Sequence, residues 1–179
     1  GDSNTNWLDE ITRVPISTEH NLSLSGGMEK VNYRASINYK SNQGLAKNSS
    51  YEEIMARANV NQKALNKMLE FNYDLSYSTT KSSWVDHYAY QQAMKYNPTM
   101  PVYFTDVTDP NYVKYGGYYQ NFDKNGFSNP VAIVMQPTKD GTDQTFLGSI
   151  RATLKPISGL RISAFGSYQL YNSSTANFF

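Results

Sequence analysis

Residues 30–40 alternate strictly between apolar and polar side chains. The apolar positions, all on one side of an extended chain, are Val31, Tyr33, Ala35, Ile37 and Tyr39. A period of two is typical of a β-strand. A run of about ten residues is the length of a strand that crosses a bilayer, whereas strands of globular sheets usually have about five or six. The pattern therefore predicts a wall strand of a membrane β-barrel.

Five further runs have the same period, at residues 20–25, 54–61, 69–78, 145–154 and 160–170. The run 69–78 has the clearest pattern, and its apolar side is Leu69, Phe71, Tyr73, Leu75 and Tyr77. Tyr51 breaks the parity of the second of these runs, so its side stays open. Gly26 and Gly27 predict a tight turn after the first run.

The predicted fold class is all-β, with about six antiparallel strands that form part of a transmembrane barrel wall. The connections of about four, eight, four, sixty and five residues suit short periplasmic turns and longer external loops. Tyr39, Tyr77 and Tyr168 are placed towards the outer ends of strands, where an aromatic girdle is expected. Small residues on the apolar side also favour lipid over a packed core. A soluble β-sandwich remains the alternative, because it shows the same alternation.

The long connection at residues 82–143 predicts an external loop with its own structure. Ser83 and Asp86 match a helix-capping pattern, and helical spacing follows as far as Asn97-Pro98, which predicts one short helix. The loop is rich in aromatic residues, which either contact a ligand or partner or form the loop's own core. The candidate contacts are Trp84, Tyr88, Tyr90, Tyr103, Tyr115, Tyr118 and Tyr119. The core interpretation concerns Trp84, Tyr88, Tyr96 and Phe104.

Charge and composition exclude several function classes. The net charge is +1, from 16 basic and 15 acidic residues, so there is no electrostatic case for nucleic acid. The chain has no cysteine, and no run of about 18 apolar residues predicts a spanning helix. No phosphate loop, dinucleotide fingerprint, H-E-x-x-H or G-x-S-x-G motif is present. We therefore expect neither an enzyme nor a cofactor nor a metal site, and interpret Asp106 and Asp109 as ordinary loop acids.

Two features predict that the chain is an internal piece of a longer protein. Six strands are too few for a barrel of this kind, since the smallest single-chain examples have about eight. The first residues lack the basic start and apolar run of a signal peptide, and the last residues carry no turn signal.

Several segments resemble the SusC/RagA-type TonB-dependent outer-membrane transporters of Bacteroidetes. Residues 6–11 (NWLDEI), 20–33 (HNLSLSGGMEKVNY) and 42–44 (NQG) resemble the early barrel of that family. Residues 97–103 (NPTMPVY) and 129–132 (NPVA) resemble its long external loop, and 155–160 (KPISGL) resembles a periplasmic turn. Each motif is short, but their order and spacing are specific.

The resemblance implies a barrel of about 22 strands with a plugged lumen in the Gram-negative outer membrane. It implies import of oligosaccharides or peptides, energised through TonB by parts absent from this chain, with a SusD-like surface lipoprotein as lid and membrane lipid around the wall. The polar side of the strands would line the lumen with Lys30, Arg34, Arg57, Glu70, Asp74, Arg151 and Arg161. A siderophore or cobalamin receptor of the same architecture and a soluble carbohydrate-binding β-domain are the alternatives. The substrate cannot be read from the sequence.

Overall fold

Six strands form one open antiparallel sheet in which each strand pairs with its neighbours in chain order. The computed structural model describes residues 3–120 and 128–178. The strands are β1 (Ser17–Met28), β2 (Val31–Gln43), β3 (Ser50–Ala64), β4 (Leu69–Ser83), β5 (Thr138–Leu154) and β6 (Ile162–Phe178). This arrangement confirms the predicted fold class.

The strand register keeps most apolar and polar positions on separate faces; Leu147 and Phe165 are exceptions that stand on the polar face. Ala35 in β2 stands opposite Leu24 in β1 and Ala58 in β3, so the apolar positions align from strand to strand. The pairing of β3 is continuous, and Tyr51 lies opposite Asn42 and Ser82. Tyr51 is therefore on the polar face, which answers the question that its sequence position left open.

The connections lie alternately at the two edges of the sheet. At one of these edges, formed by strand ends and here called the turn edge, lie residues 29–30, the 3₁₀ turn Leu65–Lys67 and residues 155–161. At the other, here called the loop edge, lie residues 44–49 and 84–137. The predicted alternation in length is not strict, because the connection 44–49 is one residue shorter than 155–161.

The predicted turn at Gly26 and Gly27 is wrong, because both glycines belong to β1 and the chain turns after Met28. Gly26 instead lies beneath the ring of Tyr33, since a Cβ there would lie 2.6 Å from Oη of Tyr33 on the paired strand. The small residue leaves room for the tyrosine ring.

The strands extend further than their alternating patterns predict. β4 continues to Ser83 and β5 begins at Thr138, so the long loop spans residues 84–137 rather than 82–143. β6 reaches Phe178, eight residues beyond the last apolar position of its pattern, Leu170. These extensions are predominantly polar on both faces, so the alternation that identified the strands is missing there.

In the part of the chain that the structure describes, four short α-helices precede β1 or lie in the long loop: α1 (Trp7–Ile11), α2 (Tyr88–Lys95), α3 (Pro110–Lys114) and α4 (Pro130–Met135). Only α2 was predicted. Its predicted Ser83 cap is wrong, because Ser83 ends β4; Asp86 Oδ1 instead accepts the Tyr88 amide at 2.9 Å. Among the described residues, no helix is long and apolar enough to cross a bilayer.

The hydrophobic core lies among these helices and not on the sheet. We call α1, α2, α4 and the chain packed against them the loop cap; its buried core is Trp7, Ile11, Ala89, Ala93, Tyr96, Val131 and Val134. In the sheet, by contrast, large apolar side chains are exposed on one face, such as Leu22 at 72% and Leu24 at 65%. The sheet therefore has an apolar face that this chain does not cover.

Candidate functional site

The polar face of the sheet carries most of the charged residues predicted to line a lumen. The register places five of them on this face: Arg34, Arg57, Glu70, Asp74 and Arg151. Lys30 lies in the turn between β1 and β2, and Arg161 directly precedes β6. Both therefore belong to the turn edge of the sheet rather than to the strand face.

The charges on this face are held by polar and aromatic neighbours. Asp74 accepts hydrogen bonds from Asn59 Nδ2 at 2.6 Å and from Ser149 Oγ at 3.4 Å. The guanidinium of Arg151 lies 4.8 Å from the ring centre of Phe165, which is within the range of a cation–π contact. Both signs of charge occur on the face, which suits a hydrated interior surface better than an ion-selective pore.

The turn edge is tied to the sheet by one ion pair. Lys155 Nζ lies 2.7 Å from Oε1 of Glu70, and the Lys155 amide donates to the Met68 carbonyl at 2.7 Å. Glu70 therefore fixes the connection that follows β5.

Aromatic side chains also stand on the polar face, near the loop edge. The indole of Trp84 covers Gly141, where a Cβ would lie 2.9 Å from Trp84 Cζ3 and 3.1 Å from Ser82 Oγ. Tyr171 donates to Asp143 Oδ1 at 2.9 Å. Sequence reasoning did not select Tyr171, because it lies beyond the recognised alternation of β6.

The loop cap joins segments that are distant in the chain. Trp7 packs edge-on against Tyr96, and its Nε1 donates to the Asn97 carbonyl at 3.1 Å, across ninety residues. Thr5 donates from its amide to Pro98 O at 2.8 Å, and Asn48 Nδ2 donates to Val134 O at 3.2 Å. The segment before β1, the β2–β3 connection and the long loop therefore form one packed unit.

Asn129 is the polar centre of the loop cap and is fully buried. Its Nδ2 donates to the carbonyls of Val102 and Tyr119, both at 2.8 Å. Its Oδ1 accepts the amides of Val131 at 2.9 Å and Ala132 at 3.3 Å, which caps α4. One side chain thus satisfies two loop segments and a helix start.

A short antiparallel bridge between Tyr103 and Tyr118 brings two pairs of tilted aromatic rings together next to this centre. The rings of Tyr103 and Tyr118 are 5.2 Å apart, as are those of Phe104 and Tyr119. Burial, followed by the neighbouring Tyr103, raises the pKa of Tyr118 above its ordinary value.

The seven predicted contact aromatics divide into two groups. Tyr90 and Tyr118 pack against the core of the loop cap, and Tyr119 pairs with Phe104 beside it. Lys114 Nζ lies 5.1 Å from the ring centre of the half-buried Tyr115. The more exposed members are Trp84, Tyr88 and Tyr103. Of the four residues in the core interpretation, Tyr96 is buried, whereas Trp84 and Tyr88 are exposed.

Acidic residues of the long loop have local structural partners. Asp86 accepts from the Tyr88 amide and pairs with Lys139 Nζ at 3.3 Å, and these contacts lower the pKa of Asp86. Hydrogen bonds from Thr108 lower the pKa of Asp106, and Asp109 caps α3. Within residues 3–120 and 128–178, no group of three or more histidine or acidic residues could hold a metal ion.

Comparison with curated proteins places this sheet and its loops in a known context. The chain is 36% identical over 132 residues, 73% of its length, to the TonB-dependent receptor SusC of Bacteroides thetaiotaomicron. The chain is a homologue of SusC-type TonB-dependent receptors. It is also 27% identical over 157 residues to the TonB-dependent receptor P26 of Formosa agariphila. It spans 13% of the length of SusC and 14% of P26. No family model matches the chain.

Solved structures of a peptide importer share the fold. The RagAB peptide importer in its closed-closed state superposes on 98% of the chain with a TM-score of 0.67 and 20% identity, and the match covers 20% of that chain. A second RagAB peptide transporter structure gives a TM-score of 0.64 with 18% identity. These matches confirm the SusC/RagA-type resemblance and the barrel-wall interpretation of the sheet, and the matched relatives are named as receptors and transporters rather than enzymes.

Proposed function

We propose that this chain is a wall segment of an outer-membrane, TonB-linked importer of oligosaccharides or peptides that works with a SusD-like surface lipoprotein. The observation that carries the proposal is the continuous apolar face of the sheet. On β4 this face runs over residues 69–77. Eight steps of about 3.4 Å give about 27 Å along the strand, and a tilt of about 40° reduces this to about 21 Å. That height is close to the apolar band of about 25 Å in outer-membrane barrels.

Three tyrosines on the same face support a tilted wall. By register, Tyr39 in β2 is level with Thr79, two residues above Tyr77 in β4. Tyr168 in β6 is level with Leu75, two residues below Tyr77. From β2 to β4 to β6 the tyrosines step down by two residues for every two strands. The line through them therefore makes an angle of about 35° with the perpendicular to the strands, which is within the usual range of strand tilt. In a wall tilted in this sense the three tyrosines would share one height, as an aromatic girdle requires.

The loop cap is the candidate surface for the lipoprotein lid. It lies at the edge where the longest connection leaves the sheet, and Tyr103 and Tyr88 are 55% and 43% exposed. Tyrosines on a rigid support are favoured at protein interfaces, because they provide a large contact area at low entropic cost. Coupling to TonB would act through regions of the relatives outside the matched segment.

Lid binding is tested with the full-length transporter and its lipoprotein in detergent. Tyr103→Ala and Tyr88→Ala should each weaken their association by about 2 kcal/mol, which is about 30-fold, and reduce uptake in cells. Tyr33→Ala is the matched control, because Tyr33 is 45% exposed but lies on the apolar sheet face. Tyr96→Ala is a second control that shows the effect of loosening the loop cap, because Tyr96 is buried in its core.

Limited proteolysis of the loop separates the two kinds of effect. The Tyr88 variant should keep the parental cleavage pattern, and the Tyr103 variant, which loses its ring contact with Tyr118, should stay close to it, whereas the Tyr96 variant should be cut much faster. Unchanged lid association and uptake in both exposed-tyrosine variants would refute the docking role of the loop cap.

A further inference from the structure

Near the loop edge, the polar face combines aromatic rings with carboxylates. These carboxylates are not among the charged residues predicted to line the lumen. We call Tyr51, Glu53, Trp84, Asp143 and Tyr171 the mouth cluster. All five belong to the same face: Glu53 and Asp143 both stand opposite Thr80, and Trp84 covers Gly141, two residues from Asp143. Ile54, next to Glu53, is the last apolar residue of β3 towards the loop edge. The cluster therefore lies at the upper end of the apolar band and above it.

One tyrosine of the cluster is held beside a carboxylate, since the Tyr171 hydroxyl donates to Asp143 Oδ1 at 2.9 Å. Ser173 and Thr80 stand directly opposite Asp143 on the two neighbouring strands. Tyr51 and Glu53 lie two positions apart on β3 and share the same face. The rings are fixed while the surface stays open, since Tyr171 is 60% exposed and Trp84 is 42% exposed.

We propose that the mouth cluster is a binding subsite for a neutral oligosaccharide on the inner wall of the importer. The inference rests on the proposed function and deepens it by naming the substrate class. An aromatic face matches the apolar C–H face of a sugar ring, and carboxylates accept the hydrogen bonds that sugar hydroxyls donate. The serine and threonine hydroxyls beside them both donate and accept.

The same surface disfavours the other candidate ligands. Asp143 disfavours an acidic oligosaccharide because like charges repel, whereas the charge of Glu53 is offset by Lys40, which stands directly opposite it on β2. A peptide cannot add to the sheet as a strand here, because β4 and β5 are paired on both sides over this region. From the strand spacing, Tyr51 and Tyr171 are about 20 Å apart between Cα atoms, enough for an extended chain of several sugar rings.

The test uses the full-length transporter, purified in detergent, on an array that carries three sets of probes. These are neutral oligosaccharides with glucose, xylose, mannose and galactose backbones, uronic-acid oligosaccharides, and cationic and neutral peptides. Retention is expected on a neutral oligosaccharide and on neither of the other sets. Asp143→Asn, Tyr171→Ala and Trp84→Ala should each weaken that retention about tenfold.

Two substitutions on the opposite face are matched controls. Asp140→Asn makes the same change in the same strand, at a carboxylate that accepts from the Ser83 hydroxyl. Tyr168→Ala removes a tyrosine of β6 that is 61% exposed, almost the same as Tyr171. Both should retain parental binding when the amounts of assembled protein are equal.

The subsite is refuted if no neutral oligosaccharide is retained at millimolar concentration, or if Asp143→Asn binds as well as Asp140→Asn. It is also refuted if the cluster variants weaken only the retention of acidic or peptide probes. Continued TonB-dependent uptake of peptides alongside any of these results would leave the importer proposal intact and remove only the subsite.

Discussion

Trp7 packs edge-on against Tyr96, with their ring centres 4.7 Å apart and their planes at 70°. Trp7 precedes the first strand and Tyr96 follows the helix in the loop between β4 and β5. Edge-to-face aromatic pairs contribute about 0.5–1.5 kcal/mol beyond the area they bury. The contact therefore links the loop between β4 and β5 to the segment that leads into β1, three strands away in the sheet.

Trp7→Ala should loosen the whole loop cap without disturbing the sheet. Removing a buried aromatic side chain costs about 3–5 kcal/mol, and the cost here falls on the cap because Trp7 contacts its core. Hydrogen exchange in the full-length protein should become faster in α2 and α4. Leu8→Ala is the control, because Leu8 is the next residue and is exposed. Equal protection of α4 in both variants would contradict the single packed unit.

Asn129→Ala should open the loop cap at its polar centre. The substitution leaves the carbonyls of Val102 and Tyr119 without their donor and removes the cap of α4, at an expected cost of about 2–4 kcal/mol. Limited proteolysis should cut the long loop faster. Asp109→Ala, which removes only the cap of the short helix α3, should cost about 1 kcal/mol. Similar cleavage rates for the two variants would show that the hydrogen bonds from Asn129 to the Val102 and Tyr119 carbonyls do not stabilise the loop cap.

The sequence was sufficient to predict the strands wherever one face is apolar. Residues 69–78 alternate cleanly, since every position on one side of β4 is apolar or aromatic and every position on the other side is polar. The pattern could not give the full length of β5 and β6. Residues 138–144 and 171–177 are predominantly polar on both sides, so the periodic signal of the strand is lost there.

The loop cap was the least predictable part of the molecule. Nothing in the sequence near Trp7 indicates a partner ninety residues away, because such a contact depends on how the strands bring their ends together. The starts of α3 and α4 did carry a signal that went unused. Asp109-Pro110 and Asn129-Pro130 each combine a capping side chain with proline at the first helical position.

Ala35→Arg should impair assembly of the full-length barrel more than Ser36→Arg. Ala35 lies on the apolar face, where an arginine at the bilayer midplane costs about 2–4 kcal/mol, and Ser36 lies on the polar face, where the charge stays hydrated. Heat-modifiable mobility on SDS gels measures the folded fraction. A Ser36 variant that assembles as poorly as the Ala35 variant would mean that the two faces are assigned the wrong way round.

The anchor of the long loop at Asp86 should depend on pH. Bonds from the Tyr88 amide and then from Lys139 lower the pKa of Asp86 below its ordinary 3.8. The stabilisation is therefore fully present above about pH 4 and is lost as the pH falls through the lowered pKa of the folded state. Hydrogen-exchange protection of α2 should decrease in acid.

Two variants check this dependence. Asp86→Asn should have reduced protection of α2 already at neutral pH and less change on acidification. Asp106→Asn should behave like the parent, because Asp106 bonds only within its own turn, to Thr108. If α2 in Asp86→Asn still loses as much hydrogen-exchange protection in acid as in the parent, a group other than Asp86 causes the pH dependence.

The central claim, that one face of this sheet meets lipid and the other meets water, is tested most directly by spin labelling of β4. Single cysteines are introduced at each position from 71 to 77 in the full-length protein, which is reconstituted in liposomes. Collisions of the label with oxygen should be greatest at Phe71, Tyr73, Leu75 and Tyr77. Collisions with a water-soluble nickel complex should be greatest at the three positions between them. No alternation along the strand, or alternation in the opposite phase, would contradict the account.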